Sequence, residues 1–550
     1  MTFLFHADPD FIEGLRRHGF LNDYGFRLHN TGLDTRPFGE KWASNPLLQQ
    51  AKTSNRPYYI DRITGGMPYQ SLEGIESIAR ELKEDPQFLG FQVHEWGNSP
   101  IHDYKRIQKL LIGQGLPFDR ANFVGYEGRV DYPFFSGGDY DTYRKLFTPL
   151  NSLADVNRYL EGYVRQIVGR TGGQVMAVNG YVQLYHTALR LGAKNVMAEI
   201  GNQVPLTGLQ IACVRGAARQ YEKPFGVYYE PWGGKPFGCP CALGWSPWFP
   251  GGQNPDNKLM GHQIRPELGS SRSLQRRLLY FAWLSGATYW AEEWGAENCF
   301  RNWEDYPLTE YGQIVKEFLD ISLQWSRPKP VVPAAIVMPP GTVGIDIRYL
   351  SITRDDLYEI VKPDPFHDRM RHFAKAVLAA RPRRPGLDDY NLTPSPWISC
   401  FDVLSSEAPD NLVSQYDLVV YFDRKQFDAL RIDRKKTQLY TGNDQDAERC
   451  TQALGEFLPF YVEGEVGCAH ARADGRYLLG VFNNLGITKT AKGEQADRTA
   501  TRSAIIRGPV GQIKYILGRR HTRRSDENTI ELVIPPGDLV ILALPDPGRP

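Results

Sequence analysis

Phe88-Leu-Gly-Phe-Gln-Val-His-Glu95-Trp-Gly-Asn98 is a short apolar run that stops on a carboxylate and passes into loop residues. A run of this length, bounded in this way, reads as a buried strand. Just before it, Ser71–Glu84 carries Leu72, Ile75, Ile78, Ala79 and Leu82 at helical spacing. The same alternation of helix, apolar run and polar loop recurs through residues 1–330. It predicts strands at Phe3–His6, Tyr24–His29, Tyr58–Asp61, Phe88–Glu95, Gln174–Asn179, Asn195–Glu199, Phe225–Glu230 and Ala287–Glu292. Helices are expected at Leu153–Val168, Thr207–Gln220 and Ser273–Leu284, among others. Eight strands alternating with helices fit a (β/α)8 TIM barrel, with its largest insertion near Ser99–Gly173, between the fourth and fifth strands. A doubly wound sheet is the alternative, but no Gly-rich phosphate turn follows the first strand.

Arg327-Pro-Lys-Pro-Val-Val-Pro333 punctuates the chain after the barrel. Residues 331–458 read as a small α/β, flavodoxin-like domain with buried strands at Ala334–Met338 and Asp417–Phe422. Ala380-Arg-Pro-Arg-Arg-Pro-Gly386 is a loop within it. From residue 459 to 550 the pattern changes to short alternating strands at Tyr477–Asn483, Ala504–Arg507, Ile513–Leu517, Ile530–Ile534 and Leu539–Leu544. Such strands predict a C-terminal antiparallel β-sandwich. The basic run Arg519–Arg524 reads as a solvated turn.

Composition narrows the function classes. A chain of 550 residues exceeds one compact domain. The 64 Lys and Arg against 63 Asp and Glu give a net charge of +1, without the basic excess of a nucleic-acid partner. No apolar run reaches the ~20 residues that cross a bilayer, and Met1-Thr-Phe-Leu-Phe-His-Ala-Asp8 does not read as the basic and apolar regions of a signal peptide. Seven cysteines form no disulfide framework, so a cytoplasmic location is expected. The unusual figure is the aromatic content, 12%.

Chemistry in a barrel of this kind sits at the carboxyl ends of the strands. Four of the expected strands end in glutamate: Glu95, Glu199, Glu230 and the pair Glu292/Glu293. Glutamate is disfavoured within strands, and burying its charge is costly without partners. The recurrence therefore implies a carboxylate-lined cup. Trp96, Trp232, Trp290 and Trp294 lie close to these residues, and seven of the eleven Trp fall between Trp232 and Trp303. Indole faces stack on the apolar faces of sugar rings, while carboxylates bind hydroxyls and transfer protons. Any single Glu–Trp pair is explained by a core aromatic beside a rim ion pair; the set points to a sugar site. Glycoside hydrolysis needs two such carboxylates, roughly 5–5.5 Å apart for retention and wider for inversion. Strand-closing His6, Asp8, His29, Asn30 and Asp61 are candidate hydroxyl ligands, and Asn98 follows the fourth strand.

With Phe3–His6 as the first strand, Glu95 closes the fourth and Glu230 the seventh. Asp85-Pro-Gln-Phe-Leu-Gly-Phe-Gln-Val-His-Glu95-Trp-Gly-Asn98 resembles the clan of retaining (β/α)8 glycoside hydrolases that includes the family 42 β-galactosidases. The order of barrel, small α/β domain and β-domain is also similar to theirs. The resemblance implies Glu95 as acid/base and Glu230 as nucleophile. It implies an oligosaccharide or polysaccharide substrate, with a β-galactoside favoured, no cofactor, and self-association through the middle domain. The clan's Asn before the acid/base is His94 here, which can still donate a hydrogen bond to the sugar.

Other readings stay open. Glu199 orients the nucleophile or binds a hydroxyl, or is instead the base of an inverting enzyme. A non-catalytic carbohydrate-binding barrel would need Trp-lined clefts but not four strand-end glutamates. Cys239-Pro-Cys241 has one intervening residue where zinc knuckles have two, so no metal is expected. No Gly-x-Ser-x-Gly elbow or Walker-type phosphate loop is present.

Overall fold

The computed structural model describes residues 1–7, 9–30, 36–64, 72–94, 124–126, 147–149, 153–179, 184–201, 204–230, 270–292, 299–300, 304–342, 365–382, 386–429, 433, 436–490 and 493–548. Strands β1 (Thr2–His6), β2 (Tyr24–Leu28), β3 (Tyr58–Thr64), β4 (Phe88–His94), β5 (Val175–Asn179), β6 (Asn195–Gly201), β7 (Phe225–Glu230) and β8 (Tyr289–Glu292) close into a parallel barrel. Around it the order is β1-β8-β7-β6-β5-β4-β3-β2. These are the eight strands expected, with ends shifted by a few residues. The helix expected over Ser71–Glu84 contracts to Ile75–Leu82, because Gly74 at its start sits in the left-handed region at φ 79 and ends the helical path. Within the insertion after β4, Val124–Tyr126 pairs antiparallel with Phe147–Pro149, and a helix runs over Leu153–Thr171.

Each strand splits its residues by parity, with β4 changing phase at Gly90, where its register with β3 shifts. Leu4, Tyr59, Leu89, Met176, Met197, Tyr228 and Ala291 fill the barrel interior. The other row, including Phe3, Ile60, Phe91, Val196, Tyr229 and Trp290, packs outward against the surrounding helices. Both faces of these strands are apolar and buried, which is why they read as continuous runs in the sequence.

Beyond the barrel, β9 (Ala334–Val337), β10 (Phe401–Leu404), β11 (Leu418–Tyr421) and β12 (Thr437–Leu439) form a parallel sheet in the order β10-β9-β11-β12. It docks on the barrel helix Thr207–Gln220. Gly216 approaches so closely that a Cβ there would stand 2.0 Å from the Val403 carbonyl oxygen. Buried Asp402 takes Arg215 Nε at 2.6 Å and Arg219 Nη1 at 2.7 Å. Burial pushes its carboxyl up, but the two guanidinium groups outweigh that and hold it below its ordinary value.

The C-terminal part is an antiparallel sandwich. Its five-stranded sheet includes Gly467–Ala473, Arg476–Phe482 and Leu539–Pro545, with Lys329–Pro330 at one edge. The four-stranded sheet is built from Tyr461–Glu463, Arg502–Arg507, Thr529–Ile534 and Thr522–Ser525. Val462, Tyr477, Leu479, Ile506, Leu532 and Leu542 fill the space between the sheets. The outer face of the larger sheet lies on the barrel helix Arg272–Leu284, where Gly480 leaves room for Leu284. The basic run is not wholly solvated: His521 is buried with Nε2 2.8 Å from Asp538, which also takes Arg276 of that helix at 3.1 Å. Among the described residues, no helix is long and apolar enough to cross a membrane.

Candidate active site

At the carboxyl end of the barrel, the inward-facing rows change from apolar to polar. His6 closes β1, Arg27 belongs to β2 and Asp61 to β3, Gln92 and His94 close β4, and Glu199 lies near the end of β6. All six are buried. Arg27 donates from Nε to Asp61 Oδ2 at 2.8 Å and from Nη2 to the same oxygen at 2.5 Å. Its Nη1 donates to the Glu292 carbonyl oxygen, which ties β2 to β8 across β1. His29 Nδ1 lies 2.9 Å from Asp61 Oδ2. Burial alone would raise the Asp61 carboxyl, but Arg27 and His29 together hold it far below its ordinary range, so Asp61 is a permanent anion.

Three histidines face this end. Burial first, then the positive charge nearby, holds His6 and His94 well below 6.5 and lowers His29 as well; a His6 cation would face Arg27 and repel a charged His29, and His94 feels Arg62 and Arg27. All three are therefore neutral imidazoles near pH 7. His94 Nε2 lies 3.6 Å from Glu199 Oε1, and its ring meets the Tyr228 ring edge-on at 5.2 Å. Arg27 stands over the same Tyr228 ring at 5.6 Å. The result is a cup with two carboxylates, one paired guanidinium, neutral imidazole donors and an aromatic floor.

The structure brings together His6, Asp61, His94 and Glu199. Glu230 is the last residue of β7, with its backbone opposite Gly201 of β6. Asp8, Glu95, Trp96, Asn98, Trp232, Glu293 and Trp294, and the Cys239/Cys241 pair, lie outside the described residues. Trp290 and Glu292 were expected at the sugar site and are not in the cup. They share the outward row of β8, because Tyr289 and Ala291 take the inward positions. Trp290 stacks on Tyr229 at 5.3 Å and donates from Nε1 to Glu292 Oε1 at 3.0 Å, and Tyr311 donates to that same oxygen. Both residues thus lie between the barrel wall and the helix Glu310–Ser322.

Sequence reasoning passed over Arg27, Gln92 and Tyr228. The signal for Arg27 was present: in Tyr24-Gly-Phe-Arg-Leu-His29 the aromatic and aliphatic residues share one parity, and Gly25, Arg27 and His29 share the other. Among the described residues, no group of three or more His, Cys, Asp or Glu side chains is placed to hold a metal ion.

The fold and the polar cup at its carboxyl face define a (β/α)8-barrel protein with accessory α/β and β-sandwich units. No family model matches the sequence, and no curated protein matches it. Among solved structures, it is similar to a catalytic mutant of a GH42 β-galactosidase from G. stearothermophilus, at 8% identity and a TM-score of 0.46 over 100% of this chain and 98% of that one. The GH42 β-galactosidase without that mutation gives 9% and 0.46 over 98% and 96%. A β-galactosidase from Rahnella sp. R3 gives 9% and 0.42 over 97% and 95%.

Proposed function

We propose that the protein is a retaining glycoside hydrolase acting on a β-galactoside-like oligo- or polysaccharide, with Glu95 as acid/base and Glu230 as nucleophile. The observation that carries this reading is one of place. Glu230 ends the seventh barrel strand, and Glu95 is the next residue after the fourth, at the end of the barrel where His6, Asp61, His94 and Glu199 gather. Glu95 protonates the glycosidic oxygen while Glu230 attacks the anomeric carbon, forming a covalent glycosyl–enzyme. Glu95 then takes a proton from the water that releases the sugar. Asp61, always ionised, accepts from a sugar hydroxyl, and the neutral histidines donate to others.

Single variants test the roles separately. Glu230→Ala should lower kcat by about 10⁴-fold or more on every substrate, because no covalent intermediate forms. Glu95→Ala should spare the first step for aryl glycosides, whose phenolate leaves without a proton, and abolish it for alkyl glycosides. Equal losses on both substrate types would refute Glu95 as the acid, and an active Glu230→Ala would refute the nucleophile. A second reading, inversion with Glu199 as base, is favoured by one observation: Glu199 faces the cup beside His94. It requires Glu199→Ala to be as inactive as Glu230→Ala.

A further inference from the structure

Four residues form a directed chain across the floor of the cup. Between Ile60 and Thr64 the pairing of β3 with β4 shifts register, and Arg62 there takes the left-handed conformation at φ 48. A non-glycine residue seldom adopts this conformation. It takes the Arg62 main-chain N–H out of the ladder, and that N–H donates to Gln92 Oε1 at 3.2 Å. Because a main-chain N–H only donates, it fixes which end of the Gln92 amide faces β3. The amide Nε2 is then the atom directed at His94 Nδ1, 3.3 Å away.

An amide nitrogen also only donates, so His94 Nδ1 must accept, and a neutral imidazole that accepts at Nδ1 carries its proton on Nε2. His94 Nε2 is the atom on the Glu199 side, 3.6 Å from Oε1. We infer that Gln92 is a positioning residue that locks His94 in the Nε2–H tautomer, so that a fixed donor stands beside the Glu199 carboxylate. A donor and an acceptor side by side match one sugar hydroxyl, which accepts from the first and donates to the second. Among the described residues, the charged and aromatic groups near the His94 ring, besides Gln92, include Arg62, Arg27, Asp61, Glu199 and the Tyr228 edge. Burial and the two arginines keep the ring neutral, so Gln92 has a tautomer to select.

The hydroxyl partner rests on the glycosidase reading; the tautomer does not. The test is ¹⁵N NMR of the intact chain labelled in histidine, with the His94 signal identified by its loss in His94→Asn. The expected wild-type spectrum near neutral pH shows a protonated Nε2 and an unprotonated Nδ1. In Gln92→Glu, a carboxylate meets Nδ1, and the proton should move to Nδ1 or the ring should become a cation that titrates at higher pH. Gln92→Leu should show both tautomers and lose about tenfold in kcat/KM, the equivalent of one hydrogen bond. A wild-type Nδ1–H signal overturns the inference without any variant having to fold. An unchanged tautomer in both Gln92 variants overturns it as well. An Nε2–H signal in a protein without glycosidase turnover would instead refute the glycosidase reading and leave the lock standing.

Discussion

Glu292 is a buried carboxylate whose ionisation the fold should feel near neutral pH. It is buried behind β8 and accepts from Trp290 and Tyr311 through Oε1, and Oε2 has no hydrogen-bond partner among the described residues. Burial pushes its carboxyl from an ordinary 4.5 up to about 7, only partly offset by Tyr311, Trp290, Arg27 and Arg272. A carboxyl raised in the folded state favours folding while protonated. That contribution is full below about pH 4.5 and is lost as pH rises through about 7. The rise corresponds to about 3 kcal/mol between the two ends of that window. Glu292→Gln keeps the accepting oxygen and the shape but carries no charge, so it should match the wild type near pH 5 and exceed it in stability above pH 8. For a barrel of roughly 330 residues, at about 2.1 cal/mol/K of unfolding entropy per residue, 3 kcal/mol is about 4 °C in Tm. Calorimetric Tm of both proteins at pH 5 and pH 8.5, at equal ionic strength, measures this directly. The same Tm difference at both pH values, or a less stable Glu292→Gln at pH 8.5, would refute the reasoning.

Other expectations follow from the packing. Asp61→Ala leaves Arg27 buried without its carboxylate and should cost about 3–5 kcal/mol, read as a lower Tm, whereas Arg27→Met with Asp61→Leu should recover most of it. Gly216→Val drives a side chain into the Val403 carbonyl, so limited proteolysis after the barrel should accelerate. By contrast, Gly169→Ala, exposed on the helix Leu153–Thr171 with open space around it, should be neutral or stabilise by up to about 1 kcal/mol. Asp402→Ala should also speed proteolysis after the barrel, because Arg215, only 3% exposed, loses its carboxylate and keeps only main-chain acceptors among the described residues.

The barrel was legible because parallel strands covered on both faces read as apolar runs between turns. The strand Gly467–Ala473 was not, because Gly-Cys-Ala-His-Ala-Arg-Ala has no β-branched or aromatic residue and its apolar row is only alanine. Its faces are both covered: Cys468 lies in the sandwich core, while Ala469, Ala471 and Ala473 face the barrel side, where only small residues fit. In the cup, carboxylates at strand ends drew attention because nothing else explained them. Arg27 did not, because a cation within a strand ordinarily faces water, and only closure of the barrel reveals the Asp61 that pairs with it. Trp290 and Glu292 went to the wrong side because sequence gives parity but not which parity faces the axis. Tyr289 and Ala291 hold the inward row of β8, a choice made by register with β1 and β7.

The central claim is a double displacement through Glu95 and Glu230 in this cup. Proton NMR of the first sugar released from a β-galactoside, recorded before mutarotation, tests it most directly. The β-anomer as initial product is the expected result. The α-anomer would contradict the nucleophilic role of Glu230 and transfer the base to Glu199.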